Sequence, residues 1–179
     1  MTDRVGRGVD PELFRRTCAR FGTGVTIVTT RLDHLVHGMT ANAFMSVSLE
    51  PPLVLVSIAR EARMARLLPT AGRFAVSILR EDMRDLALHF AGRPRDDLEI
   101  PFEERAGLPV IAGALGQIIA TVERVVEAGD HLLFLGRVDE MACREAPPLI
   151  FYGGRFETLA EAARDAGSEG AGGGRGGKR

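Results

Sequence analysis

Three stretches of this chain carry residue types that suit chemistry. The first is Gly38-Met39-Thr40-Ala41-Asn42-Ala43-Phe44-Met45-Ser46-Val47-Ser48, running on through Leu49-Glu50-Pro51-Pro52 to Leu53. Small residues at a strand break leave backbone N–H and C=O groups open to a ligand. Asn42 adds a donor and an acceptor in one side chain, which suits the edge of a flat heterocycle. The same residues also suit a plain turn closed by an Asx hydrogen bond. The second stretch is Ser57-Ile58-Ala59-Arg60-Glu61-Ala62-Arg63, between an apolar strand and a short helix. Free N–H groups at a helix start favour anions, and Arg60 and Arg63 could clamp a phosphate. An ordinary solvated loop is the competing reading. The third is Gly129-Asp130-His131, followed later by Pro147-Pro148-Leu149-Ile150-Phe151-Tyr152-Gly153-Gly154. A histidine just past a hairpin turn stands at a rim, where it meets a ligand or simply solvent.

Other constellations are weaker. His34 and His37 have metal-ligand spacing but no third ligand beside them, so no metal site is expected. There is no GxSxG elbow, no GxGxxG turn between a predicted strand and a predicted helix, and no GxxxxGK[ST] loop, so these signals for a serine hydrolase, a dinucleotide fold and a P-loop are missing. His89 reads as a helix boundary residue, and Glu103-Glu104 as a solvated loop pair.

The elements that must position these groups are mostly strands. Asp10-Pro11-Glu12 opens a helix, with Asp as the N-cap and Pro at the first turn. Leu13, Phe14, Thr17, Cys18 and Phe21 give it an apolar stripe, and Gly22 and Gly24 end it. Strands are predicted over 25–30, 35–40, 43–49, 53–58, 74–79, 116–126, 132–138 and 149–152. The run Leu-Val-Leu-Val-Ser-Ile at 53–58 reads as a strand buried on both faces. Helices are predicted over 62–68, stopping before Pro69, and from Asp82 through Met83, Leu86, Ala87 and Phe90. Residues 92–101 read as irregular. This pattern is mainly β with inserted helices, as in a decorated β-barrel. Many connections are too short for the crossovers of a doubly wound sheet.

Composition sets limits on function. The 179 residues carry a net charge of -1, with 45% hydrophobic and 26% charged residues. That balance argues against binding nucleic acid or an anionic membrane surface through a basic face. Lys178 is the single lysine among 23 basic residues, so cations here are almost all planar guanidinium forks. Cys18 and Cys143 are isolated, and the first ten residues have no apolar leader core. A cytoplasmic protein is expected. Half of residues 166–179 are glycine, which predicts a disordered tail, and residues 1–9 are expected to be loose. The folded domain is expected over 10–165.

Taken together, these segments resemble the flavin reductase-like family, which has the FMN-binding split-barrel fold. It includes the reductase components of two-component flavin-dependent monooxygenases. The matching segments run in order: FGTGVTIVTT, GMTANAFMSVSLEPPLVLVSI, RFAVSIL, LALHFAG, GDHLLFLGRV and PPLIFYGGRFETL. They cover about Phe14 to Leu159. The resemblance implies a homodimeric split β-barrel that binds FMN or FAD, takes hydride from NADH or NADPH, and passes reduced flavin to a separate monooxygenase. It places Thr40, Ala41, Asn42 and Ala43 along the isoalloxazine edge. Ser57, Ala59, Arg60 and Arg63 fall on the ribityl-phosphate side, and Phe90 closes the pocket. His131, with Tyr152, faces the nicotinamide and is the expected catalytic residue. Many relatives have Ser where Ala43 stands, and the first hairpin turn lacks their usual Gly. A flavin carrier or sensor without turnover is the alternative reading. A third is a split-barrel enzyme that retains its flavin and reduces another acceptor.

Overall fold

A computed structural model describes residues 8–159. The expected tail and most of the expected loose N-terminus lie outside them. Helix α1 (Pro11–Cys18) is capped by Asp10, whose carboxylate accepts from the N–H groups of Glu12 at 3.1 Å and Leu13 at 3.2 Å. The strands are β1 (Thr23–Gly24), β2 (Thr26–Leu32), β3 (Leu35–Ala41), β4 (Phe44–Leu49) and β5 (Pro52–Ala59). After α2 (Arg63–Ala71) come β6 (Arg73–Ile78), a short 3-10 turn at Glu81–Met83, and α3 (Arg84–Phe90). Then follow β7 (Phe102–Arg105), β8 (Leu108–Ile111), β9 (Gly116–Ala128), β10 (His131–Cys143), β11 (Ile150–Tyr152) and β12 (Arg155–Glu157).

Seven strands form one antiparallel sheet in the order β3-β2-β6-β9-β10-β5-β4. Its two edge strands, β3 and β4, are consecutive in the chain. Only Asn42 and Ala43 join them. Two residues span little distance, so the sheet must curl until its edges nearly meet. The barrel is split at that link. Smaller sheets, β1-β11-β12 and β7-β8, flank it.

The main core lies inside the curl. Val54, Val56 and Ile58 of β5 meet Phe74, Phe134 and the α2 residues Met64, Ala65 and Leu68. A second core joins Val25, Ile27, Leu79, Ile111 and Leu149 to Leu86 and Ala87 of α3. Each large side chain so buried contributes about 1.5–3 kcal/mol. Gly136 of β10 makes the main core possible. A Cβ there would sit 2.5 Å from Phe74 Cζ and 2.9 Å from Ala120 Cβ. Phe74 is fully buried and cannot swing away freely. Gly136→Ala should therefore cost about 1–3 kcal/mol by overpacking. A melting curve superimposing on that of the parent protein would contradict this packing.

Three expectations need correction. The helix before Pro69 runs on to Ala71 and closes on Gly72 in the left-handed region. So near the end, proline forfeits one helical bond and the last turn survives on Gly72 N–H to Leu68 C=O at 2.9 Å. Glu103 and Glu104 lie in strand β7, not in a solvated loop. Glu104 ion-pairs with Arg31, and Glu103 accepts from the buried Gln117 at 2.6 Å. Strand β5 is buried on one face only. Leu53, Leu55, Ser57 and Ala59 alternate with the core residues and stay half-buried. In the hairpin between β2 and β3, Asp33 adopts φ 55° in place of the usual glycine. Asp tolerates that region better than most residues.

Candidate functional site

The rim hairpin is held in place before it holds anything else. Gly129 takes φ 61° at the first turn position, as a tight two-residue hairpin requires. Arg60 braces the turn three ways. Its backbone N–H donates to Asp130 C=O at 3.0 Å, its Nε to Gly129 C=O at 2.9 Å, and it ion-pairs with Glu127 at 3.0 Å. His131 opens β10 opposite Ala59 of β5. Its Nδ1 lies 2.8 Å from Asp130 Oδ1. That hydrogen bond and the imidazole charge hold the Asp130 carboxyl below its ordinary range. An ionised carboxylate only accepts, so Nδ1 carries the proton and Nε2 is left for a ligand. The imidazole is 43% exposed, at the rim as expected.

Three cavities run along this side of the molecule. One of about 650 Å³ lies between the start of α1 and the hairpin, bordered by Phe14, Arg15, Ser57, Asp130 and His131. A second of about 390 Å³ is bordered by Cys18, Phe21, Thr23, Asn42, Ala43 and Ser57. A third of about 150 Å³ includes Thr40, Asn42, Ala91, Phe151 and Phe156. Ser57 borders the first two and Asn42 the last two, so neighbouring cavities share a lining residue. Thr23 Oγ1 is buried at the middle cavity with no hydrogen-bond partner among the described residues. Such a hydroxyl calls for a partner that the folded chain does not supply.

The structure thus gathers Thr40, Asn42, Ala43, Ser57 and His131 along a row of neighbouring cavities, with Ala59 and Arg60 beside the hairpin at its end. Thr40 is fixed by donating from Oγ1 to Ala87 C=O at 2.7 Å. Ala41 is buried, and its carbonyl accepts from Thr26 Oγ1 at 2.7 Å. Ser57 N–H donates to Ala43 C=O at 3.0 Å, tying the barrel split to β5. Six expected residues, Ala41, Ala59, Arg60, Arg63, Phe90 and Tyr152, border none of these cavities. Phe90 packs on Gly38, where a Cβ would stand 2.6 Å from its ring, and tilts against Phe102. Tyr152 lies beside Gly22. Arg63 starts α2, whose N-cap Ala62 offers no side-chain bond.

Arg63 is close enough to His37 to depress its pKa. Burial is the larger cause and the Arg63 charge the second. The folded protein therefore resists protonating His37 while the unfolded chain does not. Stability should fall as pH drops below the ordinary histidine value of about 6.5. His37→Gln should flatten the Tm–pH curve below that value, as read by melting at intervals from pH 7.5 to 5. A curve of unchanged slope would contradict it.

Sequence reasoning missed α1 as a wall of the cleft. Its apolar stripe reads as core-facing, yet no residue of α1 is buried, and Phe21 just beyond it is 78% exposed. Phe14, Cys18 and Phe21 instead border the two larger cavities. The available signal was a stripe on a helix whose capping and length gave no hint of which surface it faces.

Residues 18–160 match the flavin reductase like domain. The chain belongs to that family. It is similar to an NADH-dependent flavin reductase of Rhodococcus sp, 44% identical over 92% of this chain and 97% of that protein. The reductase component of 4-hydroxyphenylacetate 3-monooxygenase from Thermus thermophilus is 40% identical, over 79% of this chain and 91% of that protein. Among solved structures, the flavin reductase PheA2 superposes with a TM-score of 0.83 at 48% identity, covering 86% of this chain and all of that one. The open seven-stranded sheet is therefore the split barrel of flavin reductases, and the mainly β expectation holds. No helix among the described residues is long and apolar enough to cross a membrane.

Proposed function

We propose that this flavin reductase family member uses NADH or NADPH to reduce FMN or FAD and releases the product to a separate monooxygenase. One observation carries this reading. The Asn42–Ala43 link at the barrel split and the His131 hairpin border neighbouring cavities, with Ser57 shared between them. Two flat rings can meet there.

The donor set fits a flavin. Asn42 supplies an amide, Thr23 a hydroxyl with no partner among the described residues, and Ala41–Ala43 a turn of backbone, against apolar walls from Phe21, Phe44 and Leu55. Bound side by side, a dihydronicotinamide and a flavin supply the hydride chemistry themselves. The chain's part is placement. Thr40, Ala41, Asn42 and Ala43 orient the isoalloxazine edge. Ser57, Ala59, Arg60 and Arg63 hold the ribityl-phosphate side, where α2 begins without a side-chain cap. His131 presents Nε2 to the nicotinamide carboxamide. Tyr152 and Phe90 support the walls. The apolar lining excludes water, which strengthens each polar contact. No nucleophile or general base is needed.

Dimerisation through exposed apolar surface is part of this reading. Phe14, Phe21 and Leu49 stand out from the protomer, Leu49 at 91% exposure. Two free cysteines support a cytoplasmic setting. Relatives named as monooxygenase reductase components, from Thermus thermophilus and Rhodococcus jostii, support delivery of reduced flavin to a second protein. The domain is taken to span 10–165. The test is NADH and NADPH consumption with and without added FMN or FAD. Multiple turnovers of added flavin are expected. Tight flavin binding without nicotinamide oxidation would leave a carrier or sensor instead.

A further inference from the structure

The cavity in front of His131 has a second wall. It is built from Val9, Pro11, Phe14 and Arg15 at the start of α1. At about 650 Å³, the space is within the range of sites for whole small-molecule ligands and has room beyond a nicotinamide ring. A nicotinamide dinucleotide brings a diphosphate with two negative charges, which needs a cation if it enters. The N-terminus of α1 does not supply positive potential freely, because the Asp10 carboxylate already occupies the Glu12 and Leu13 N–H groups. Arg60 does not border this cavity; it stands beside the hairpin turn that it braces. Among the described residues bordering the cavity, Asp130 is engaged by His131, and Arg15 is the permanent cation. No acceptor among the described residues bonds its guanidinium, so the fork is free to take two phosphate oxygens.

We infer that Arg15 binds the diphosphate of the nicotinamide dinucleotide, so that α1 and the hairpin grip the hydride donor from opposite sides. This rests on the reductase reading. It adds a residue that selects the donor by its phosphates and not by its ring. Arg15 is exposed on a helix with no buried residue, so its replacement leaves the core intact.

The test compares NADH with 1-benzyl-1,4-dihydronicotinamide, a donor with the same reacting ring and no phosphate. For Arg15→Ala, KM for NADH should rise roughly 10-fold or more, as expected for a lost charge-assisted contact. kcat should stay within about twofold, since the contact binds ground and transition states alike. The phosphate-free donor should show no comparable change in KM. Titration of the protein with NAD⁺, followed by calorimetry, should show the same weakening without turnover, and Arg15→Lys should restore part of it. An unchanged KM and NAD⁺ affinity would overturn the inference. So would equal losses with both donors, which would point to ring placement, or a loss of FMN affinity in place of NADH affinity. If the parent protein reduces flavin with neither donor, the reductase reading itself fails, and that outcome is distinct from all of these.

Discussion

His131→Ala should lower kcat/KM for NADH by 10-fold or more while leaving the flavin Kd nearly unchanged. The imidazole projects from the rim, half-exposed, with Nδ1 tied to Asp130 and Nε2 free. In the proposed reading, a hydrogen bond from His131 to the carboxamide would position the nicotinamide for transfer. Misplacement by about 1 Å can cost on the order of 100-fold in such a step. The effect should therefore appear in stopped-flow reduction of bound flavin, not in flavin titration. Folding gives His131 little to do, since its neighbours across the sheet, Ala59 and Ala128, pair through backbone. A lower Tm with an unchanged reduction rate would reduce His131 to a turn-shaping residue. Asp130 remains ionised well into acid, because His131 depresses its pKa. Loss of the pair on mild acidification would thus not come from the carboxylate.

The second large effect concerns Arg60 and Arg63. Replacing both with Ala should weaken flavin binding by about 1.5–3 kcal/mol, the cost of a lost charged contact. The loss should shrink at high salt, where exposed charges are screened. Asn42→Ala removes a neutral contact and should cost about 0.5–1.5 kcal/mol, with little salt dependence. Titration of both variants at low and high salt separates ring edge from phosphate. The single variants should differ as well. Arg60 Nε holds Gly129, and its ion pair holds Glu127, so Arg60→Ala should also slow hydride transfer by loosening the His131 hairpin. Arg63→Ala should not, because Arg63 lies beside His37 at the start of α2. Equal effects of the two single variants on the reduction rate would contradict this division.

Local signals in the chain determined the element types well. Asp10-Pro11 starts a helix because Asp caps it and Pro fits its first turn. Gly129-Asp130 makes a hairpin because glycine adopts a positive φ without cost. The strand break at Asn42, the strand end at Ser57 and the rim position of His131 were all legible, since each depends on a few adjacent residues. Tertiary structure decided what faces what. The alternation in β5 is hidden in sequence because Leu53 and Leu55 are as apolar as the core residues between them. Only the curl of the sheet shows that their face meets the cleft. The apolar stripe of α1 carries no address for the same reason. Burial is non-directional, so periodicity reports that a face seeks cover without reporting what covers it. Glu103, Glu104 and Arg60 found their partners 14, 73 and 69 residues away. Contacts of that range exist only once the strands have assembled and the sheet has curled, and no local pattern of residues encodes them.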